Sequence, residues 1–398
     1  MPTPIDGPAE LVTPNLFDEA FDIPIRPDVV VYDNTLRDGE QTPGMSFSAR
    51  DKLEIATALD DLGISWANVG FPAISRGEYE AVEGIVSAGL KMKLAALCRL
   101  STKDIDLTVA SGVDLLAVFI PSSDTHLKHK LQMTEAEAID KVSKYVAYAK
   151  SSGKLVSFGV EDGSRSPMPR LIRIYQAAEA AGADYLVYSD TVGVLTPLRT
   201  YAIVRTLCSA LTKPFGLHFH DDLGLAHANT LAGLQAGAYM GHVTVDNLGE
   251  RAGNACLCEM AVTLRVLYGL DLGLDLSKLQ ALSETVHRIT GTEPPVSKGV
   301  TGKWTFTHES GIHVAGVLAD PETYQPYPPA LIGRQHQLAF GKHSGKRGVQ
   351  YLAEREGVEL SDEACARLLA RIKEQAKEVG GPVDDQLLIE WLRAEAGK

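Results

Sequence analysis

The sequence is poor in cysteine, in basic residues and in long apolar runs, and each shortage removes a class of protein. Its 398 residues hold five cysteines, Cys98, Cys208, Cys256, Cys258 and Cys365, odd in number and scattered along the chain. That is no disulfide framework, so a reducing, cytoplasmic setting is expected. Cys256 and Cys258 have one residue between them and no second pair nearby; they read as small buried residues rather than metal ligands. With 38 Lys and Arg against 51 Asp and Glu the formal charge is -13, which argues against a nucleic-acid surface or a polybasic membrane anchor. No apolar run approaches the roughly 20 residues that span a bilayer. The first basic side chain is Arg26, so no signal peptide is visible.

What the sequence does have is 45% hydrophobic residues and a regular rhythm. Residues 1–27, rich in Pro, Asp and Glu, read as an N-terminal arm. From Val29, short β-branched runs alternate with stretches of helical period. Strands are expected at Val29–Asp33, Trp66–Gly70, Lys93–Cys98, Leu115–Ile120, Leu155–Val160, Tyr185–Ser189, Phe215–Phe219 and His242–Val245. Helices are expected between them, at Ala49–Leu62, Thr134–Ser151, Arg170–Ala181, Pro197–Ala210 and Ala226–Gly237 among others. Gly63, Gly112, Gly153, Gly182 and Gly237 stand where helix C-caps belong. Eight such units over about 240 residues match the count and size of a (β/α)8 TIM barrel, placed at residues 28–271. An open doubly wound sheet would usually carry a Gly-rich turn after its first strand, and Asp33 to Asp38 is not one. Residues 272–398 form a C-terminal linker and mainly helical lid subdomain. Within it, 272–292 reads as helical and 293–343 as irregular; helices close the chain at Lys346–Arg355, Asp362–Val379 and Asp384–Ala396.

Polar clusters follow the strands, and in a barrel all strand ends meet on one face. His218 and His220 lie two apart on a strand, so both imidazoles can face one cation, with Asp38 after the first strand as the natural carboxylate. Two His and one carboxylate leave open positions on a divalent metal, as catalysis requires. The plainer alternative is a pair of strand histidines satisfied by hydrogen bonds. Arg37 is either a structural ion pair with Asp38 or a stabiliser of developing negative charge. Glu161 and Asp162 can hold Arg165, or one of them can act as acid–base. Thr307 to His313 places His308 and His313 in a Gly-containing segment; surface histidines are the bland reading. Gly341 to Lys346 lacks the first Gly of a phosphate loop, which rejects nucleotide hydrolysis but leaves open a contact to an anionic tail such as a CoA phosphate.

Three segments together resemble a known family. Asp33-Asn34-Thr35-Leu36-Arg37-Asp38-Gly39-Glu40-Gln41, the run from His218 to Ala226, and Gly249-Glu250-Arg251-Ala252-Gly253-Asn254 are similar to the ordered signatures of the DRE-type TIM-barrel metallolyases. That family includes isopropylmalate, homocitrate and citramalate synthases and hydroxymethylglutaryl-CoA lyase. Thr307 to Gly316 and Phe340 to Gly345 resemble the linker of its acetyl-CoA condensing branch, and the wording comes closest to nitrogenase-cofactor-type homocitrate synthases.

The resemblance implies Claisen condensation of acetyl-CoA with a 2-oxo acid, then thioester hydrolysis. The best single acceptor is 2-oxoglutarate, giving homocitrate. A phosphonomethylmalate, phosphinomethylmalate or 2-isopropylmalate synthase is the alternative, and a metal-dependent C–C lyase the rival class. Asp38, His218 and His220 would ligate a divalent metal (Mg²⁺, Mn²⁺ or Zn²⁺), with Asn254 as a fourth ligand. Arg37 would stabilise the developing alkoxide or enolate, and Thr191 would hold the 2-oxo acid's carboxylate, with Gln41, Arg99 and Arg165 as further substrate-binding candidates. His313, with His308 as the second candidate, would take a methyl proton from acetyl-CoA, supported by Glu161 and Tyr324. A homodimer with its active site shared across chains is implied, with no nucleic-acid or membrane partner. The sequence stops before any leucine-sensing domain, so feedback through one is not expected. Three positions depart from the pattern: Asn68 stands where Glu is frequent, His227 where a small residue is common, and Ser157 where lysine-pathway homocitrate synthases carry Arg. The last argues against the lysine-pathway type.

Overall fold

The computed structural model describes residues 23–396. Most of the expected arm, residues 1–22, lies outside them. The chain divides into two compact units, one running to Pro294 and the other starting at Pro295.

The first unit is a closed barrel of eight parallel strands in sequential order. These are β1 (Val30–Asp33), β2 (Trp66–Asn68), β3 (Lys93–Arg99), β4 (Leu115–Pro121), β5 (Leu155–Glu161), β6 (Tyr185–Asp190), β7 (Phe215–Phe219) and β8 (Met240–Val243). Closure comes from β1 pairing with β8, Val30 opposite Met240 and Asp33 opposite Val243. Every residue of β7 and β8 is buried, as strands covered on both faces must be. The expected strand at His242–Val245 begins two residues earlier and ends at Val243. Beyond it Asp246 and Asn247 take left-handed conformations (φ 47° and 63°), which stop the ladder and turn the chain back.

Local chemistry sets the helix boundaries. Helix Ala49–Leu62 starts at a reciprocal capping box, Ser48 with Asp51, and stops at Gly63, whose φ of 99° is left-handed. Ser75, Ser101 and Thr134 cap the helices that begin at Arg76, Thr102 and Glu135. Helix Leu279–Thr290 belongs to the barrel unit and packs on helix Ala49–Leu62. No helix among the described residues is long and apolar enough to cross a membrane.

The second unit is mainly helical. Helices Lys346–Arg355, Asp362–Val379 and Asp385–Ala396 bury a core that includes Val349, Leu368, Ile372, Leu388 and Leu392. Before them, a segment with no sustained period holds a parallel pair of two-residue strands, Thr307–His308 and Gln337–Leu338, and a helix at Gly311–Ala319. That helix escapes the sequence because its run of Val, Leu, Ala and Gly shows no polar face.

One buried cation ties the first barrel loop to its surroundings. The Lys52 side chain is fully buried, and its Nζ lies 2.7 Å from Glu40 and 2.7 Å from Glu78 and donates to the Leu36 carbonyl at 3.2 Å. Glu40 in turn accepts the Phe47 amide, and Glu78 the Phe71 amide. Removing the cation leaves two carboxylates facing each other without compensation. Lys52→Met is expected to lose about 3–5 kcal/mol of unfolding free energy, measured by urea denaturation.

Candidate functional site

A cavity of about 290 Å³ opens among the C-terminal ends of the strands, the face where such barrels carry their chemistry. Arg37, Asp38, Gln41, Thr191, Glu161, His218 and His220 all line it. So do Asn68 and Ser157, two of the positions that depart from the family pattern.

The loop after β1 brings Asp38 in. The Arg37, Asp38 and Gly39 amides all point at the Asn34 carbonyl, and Asp33 accepts both the amide and the hydroxyl of Thr35. That tight turn buries Asp38 beside the end of β7. His218 lies in β7 and His220 just beyond it, with ring centroids 5.1 Å apart, as the period of two dictates. One donor atom from each of Asp38, His218 and His220 falls within 4.8 Å of the others. His218 Nε2 stands 3.7 Å from Asp38 Oδ2.

Asn254 reaches the same carboxylate from the loop after β8, its Nδ2 donating to Asp38. The preceding Gly253 has a φ of 83°, and a Cβ there would stand 1.6 Å from the Asn247 carbonyl oxygen. Only glycine lets the chain deliver Asn254 at this point.

The electrostatics suit a cation. Burial pushes the Asp38 carboxyl up, but the Arg37 guanidinium 2.7 Å away, the two nearby imidazoles and the Asn254 hydrogen bond together outweigh it and hold the group well below the usual carboxylate range. Burial drives both the His218 and His220 imidazoles below their ordinary value. The set is therefore one carboxylate and two neutral imidazoles, the protonation states a divalent ion needs. Nδ1 of both histidines and Oδ1 of Asn254 are buried and have no hydrogen-bond partner among the described residues. Buried polar atoms without partners are uncommon, and here they belong to the side chains that meet at one carboxylate. The residues fit a divalent metal.

Around this centre, Thr191 Oγ1 accepts the Asp162 amide at 2.8 Å, which leaves its O–H to donate into the cavity. Glu161 is held by Lys130 Nζ at 2.7 and 2.9 Å. Arg99 and Arg165 are placed differently: Arg99 pairs with Asp104 at 2.6 Å and Arg165 with Asp162 at 2.8 Å, and neither lines the cavity. His308, His313 and Tyr324 belong to the second unit. The His313 and Tyr324 rings lie 4.4 Å apart. His308 neighbours His336 at 5.6 Å, and burial lowers its imidazole.

Three lining residues escape the sequence reading. Lys130 rises from a single π-helical turn, Leu127–Leu131, which ends at a left-handed Gln132 and has no periodic signature. His242 lies on β8 opposite Tyr32 and stacks on its ring at 4.3 Å; the strand's alternation could have placed it inside. Glu250 belongs to a signature but carries no assigned role.

Residues 28–286 match the family model described as HMGL-like. The chain belongs to that family. Residues 300–379 match a second model, the homocitrate synthase post-HMGL domain-like family. Among its relatives, homocitrate synthase AksA of Methanopyrus kandleri is 44% identical over 346 residues, covering 87% of each chain. A 2-isopropylmalate synthase of Caldanaerobacter subterraneus is 41% identical over 361 residues, covering 91% of this chain and 94% of that one. (R)-citramalate synthase CimA of Methanocaldococcus jannaschii is 38% identical over 370 residues, covering 93% of this chain and 75% of that one. Among solved structures, the HMG-CoA lyase of Bacillus subtilis superposes with a TM-score of 0.62 at 20% identity, over 68% of this chain and 97% of that one. This last likeness is one of fold.

Asp38→Asn removes the anionic donor while keeping its shape. It is expected to weaken Mn²⁺ binding, followed by electron paramagnetic resonance titration, by more than the ~10–100-fold that outer partners of metal ligands cost.

Proposed function

We propose that this protein is a divalent-metal-dependent synthase that condenses acetyl-CoA with a 2-oxo acid and then hydrolyses the thioester. The observation that carries this reading is the second domain: beyond the barrel, residues 300–379 match a homocitrate synthase post-HMGL domain. Relatives named for three different synthases, alike at 38% to 44% identity, support the reaction class and leave the acceptor to the pocket. Our reading of the acceptor is 2-oxoglutarate, with homocitrate as product. A phosphono- or phosphino-pyruvate, or the 2-oxo acid precursor of 2-isopropylmalate, is the alternative. Asn68 and Ser157, neutral side chains on the cavity wall, are the positions where these acceptors would be told apart.

A divalent cation held by Asp38, His218 and His220, with Asn254 beside them, would supply Lewis-acid polarisation of the acceptor's keto group. Thr191 donates its free O–H to the acceptor's carboxylate. His313, backed by Tyr324, takes a proton from the methyl group of acetyl-CoA, and the resulting carbanion attacks the keto carbon. Negative charge passes to the former keto oxygen. Arg37 would stabilise it, because its guanidinium is permanently charged and its Nε has no partner among the described residues. Glu161, held beside the cavity by Lys130, is the supporting acid–base group. Water then cleaves the thioester and releases CoA. We extend the reading to a homodimer in which the C-terminal segment of each chain serves the other's site, and to a cytoplasmic location.

The test is a CoA-release assay with acetyl-CoA, Mg²⁺ or Mn²⁺ and a panel of 2-oxo acids. Turnover is expected with one acceptor, abolished by a chelator. Arg37→Gln is expected to lower kcat by about 10²–10³, and His313→Ala by about 10²–10⁴. Failure of every acceptor to release CoA above the His220→Ala background would sink the proposal. Turnover of a 3-hydroxyacyl-CoA without acetyl-CoA, indifferent to His313→Ala, would instead establish a lyase.

A further inference from the structure

A second cluster of metal-donor side chains lies in the barrel unit, apart from the cavity. Asp246, Cys256 and Cys258 are all buried, and one oxygen and two sulfurs from them fall within 4.8 Å of one another. Cys256 is the N-cap of helix Leu257–Tyr268 and Cys258 stands in its first turn, where exposed amide dipoles favour anionic groups. Asp246 is delivered by the left-handed turn that ends β8. Helix Leu279–Thr290 fixes this carboxylate from the other side. His287 Nε2 lies 3.0 Å from Asp246 Oδ2, the Ser283 hydroxyl donates to the same oxygen, and His287 Nδ1 is 2.8 Å from the Thr292 hydroxyl.

None of these side chains lines the cavity, and none is used by the proposed reaction. Read along the sequence, Cys256 and Cys258 look like core filling. The fold adds to them a carboxylate from ten residues upstream and an imidazole from another helix that orients it. Metal-bound carboxylates are held by such outer hydrogen bonds. A set of two sulfurs and one oxygen is softer than the O/N set at the barrel mouth and selects Zn²⁺ over Mg²⁺ or Mn²⁺.

The location points to a role. Thr244 and Cys256 form an isolated parallel bridge, with the Thr244 amide donating to the Ala255 carbonyl and the Leu257 amide to Thr244. They mark the two ends of the loop that carries Gly253 and Asn254. We propose that Asp246, Cys256 and Cys258 form a structural zinc site, with His287 and Ser283 orienting the carboxylate, that fastens the base of this loop and so holds Asn254 against Asp38. On binding, both thiols ionise and release their protons to solvent, and the carboxylate and two thiolates donate lone pairs to the ion.

The probe is Co²⁺ added to the full-length protein expressed with cobalt in place of zinc, with zinc stoichiometry measured in parallel. Wild type is expected to show a thiolate-to-cobalt charge-transfer band in the near ultraviolet and to hold two zinc ions per chain when saturated. His218→Ala/His220→Ala is expected to keep the band and one zinc. Cys256→Ser/Cys258→Ser is expected to lose the band and one zinc while keeping the barrel-mouth ion, whose retention reports an intact fold. The proposal is overturned if wild type shows no such band, if the band survives in the double serine variant, or if His218→Ala/His220→Ala holds no zinc.

Discussion

The ammonium of Lys52 is the point on which the first barrel loop rests. It stands fully buried between Glu40 and Glu78, and it also holds the Leu36 carbonyl. Leu36 and Glu40 bracket Arg37 and Asp38. A single cation thus fixes the loop that supplies both the carboxylate donor and the guanidinium, and couples it to Glu78 and the Phe71 backbone. Buried ion clusters rarely add net stability over an apolar core, but they specify one arrangement, and geometry is what a metal-donor set needs.

With a divalent ion bound, charge at the cavity would run against the character of the whole chain. The protein carries a formal -13, whereas the proposed substrates are anions. Neutral imidazoles beside an ionised Asp38 mean that the donor set without a cation is anionic too. A bound divalent ion, Arg37 and Lys130 would then reverse the sign within a few ångströms. Lys130 is itself engaged by Glu161.

Much of this was legible in the residues. Alternating strands and helices with glycines at the helix ends led to eight units, and the order of the strands around the barrel is the order along the chain. The approach of Asp38 to His218 and His220 follows from residues at strand ends that a barrel brings to one face. What escaped has identifiable causes. β8 slipped by two residues because left-handed Asp246 and Asn247 end it, and neither is a glycine that would announce a turn. Helix Gly311–Ala319 lacks a polar face to give it a period. Arg99 and Arg165 sit in polar clusters after strands, but each has an acid within five residues and takes that partner rather than the cavity. Asp246 and His287 reach Cys256 and Cys258 only through tertiary folding, so no spacing could join them.

Closure of the ring between its first and last strands has a consequence for how the protein is made. Asp38 leaves the ribosome some 180 residues before His218, and Asn254 follows later still. At translation rates of roughly 5–20 residues per second, the carboxylate waits for about 10–40 seconds before its imidazole partners exist. Until β8 zips onto β1, the nascent chain holds no complete donor set. Capture of a divalent ion at this site would thereby be deferred to the end of barrel synthesis, and partly made chains would present only scattered donors.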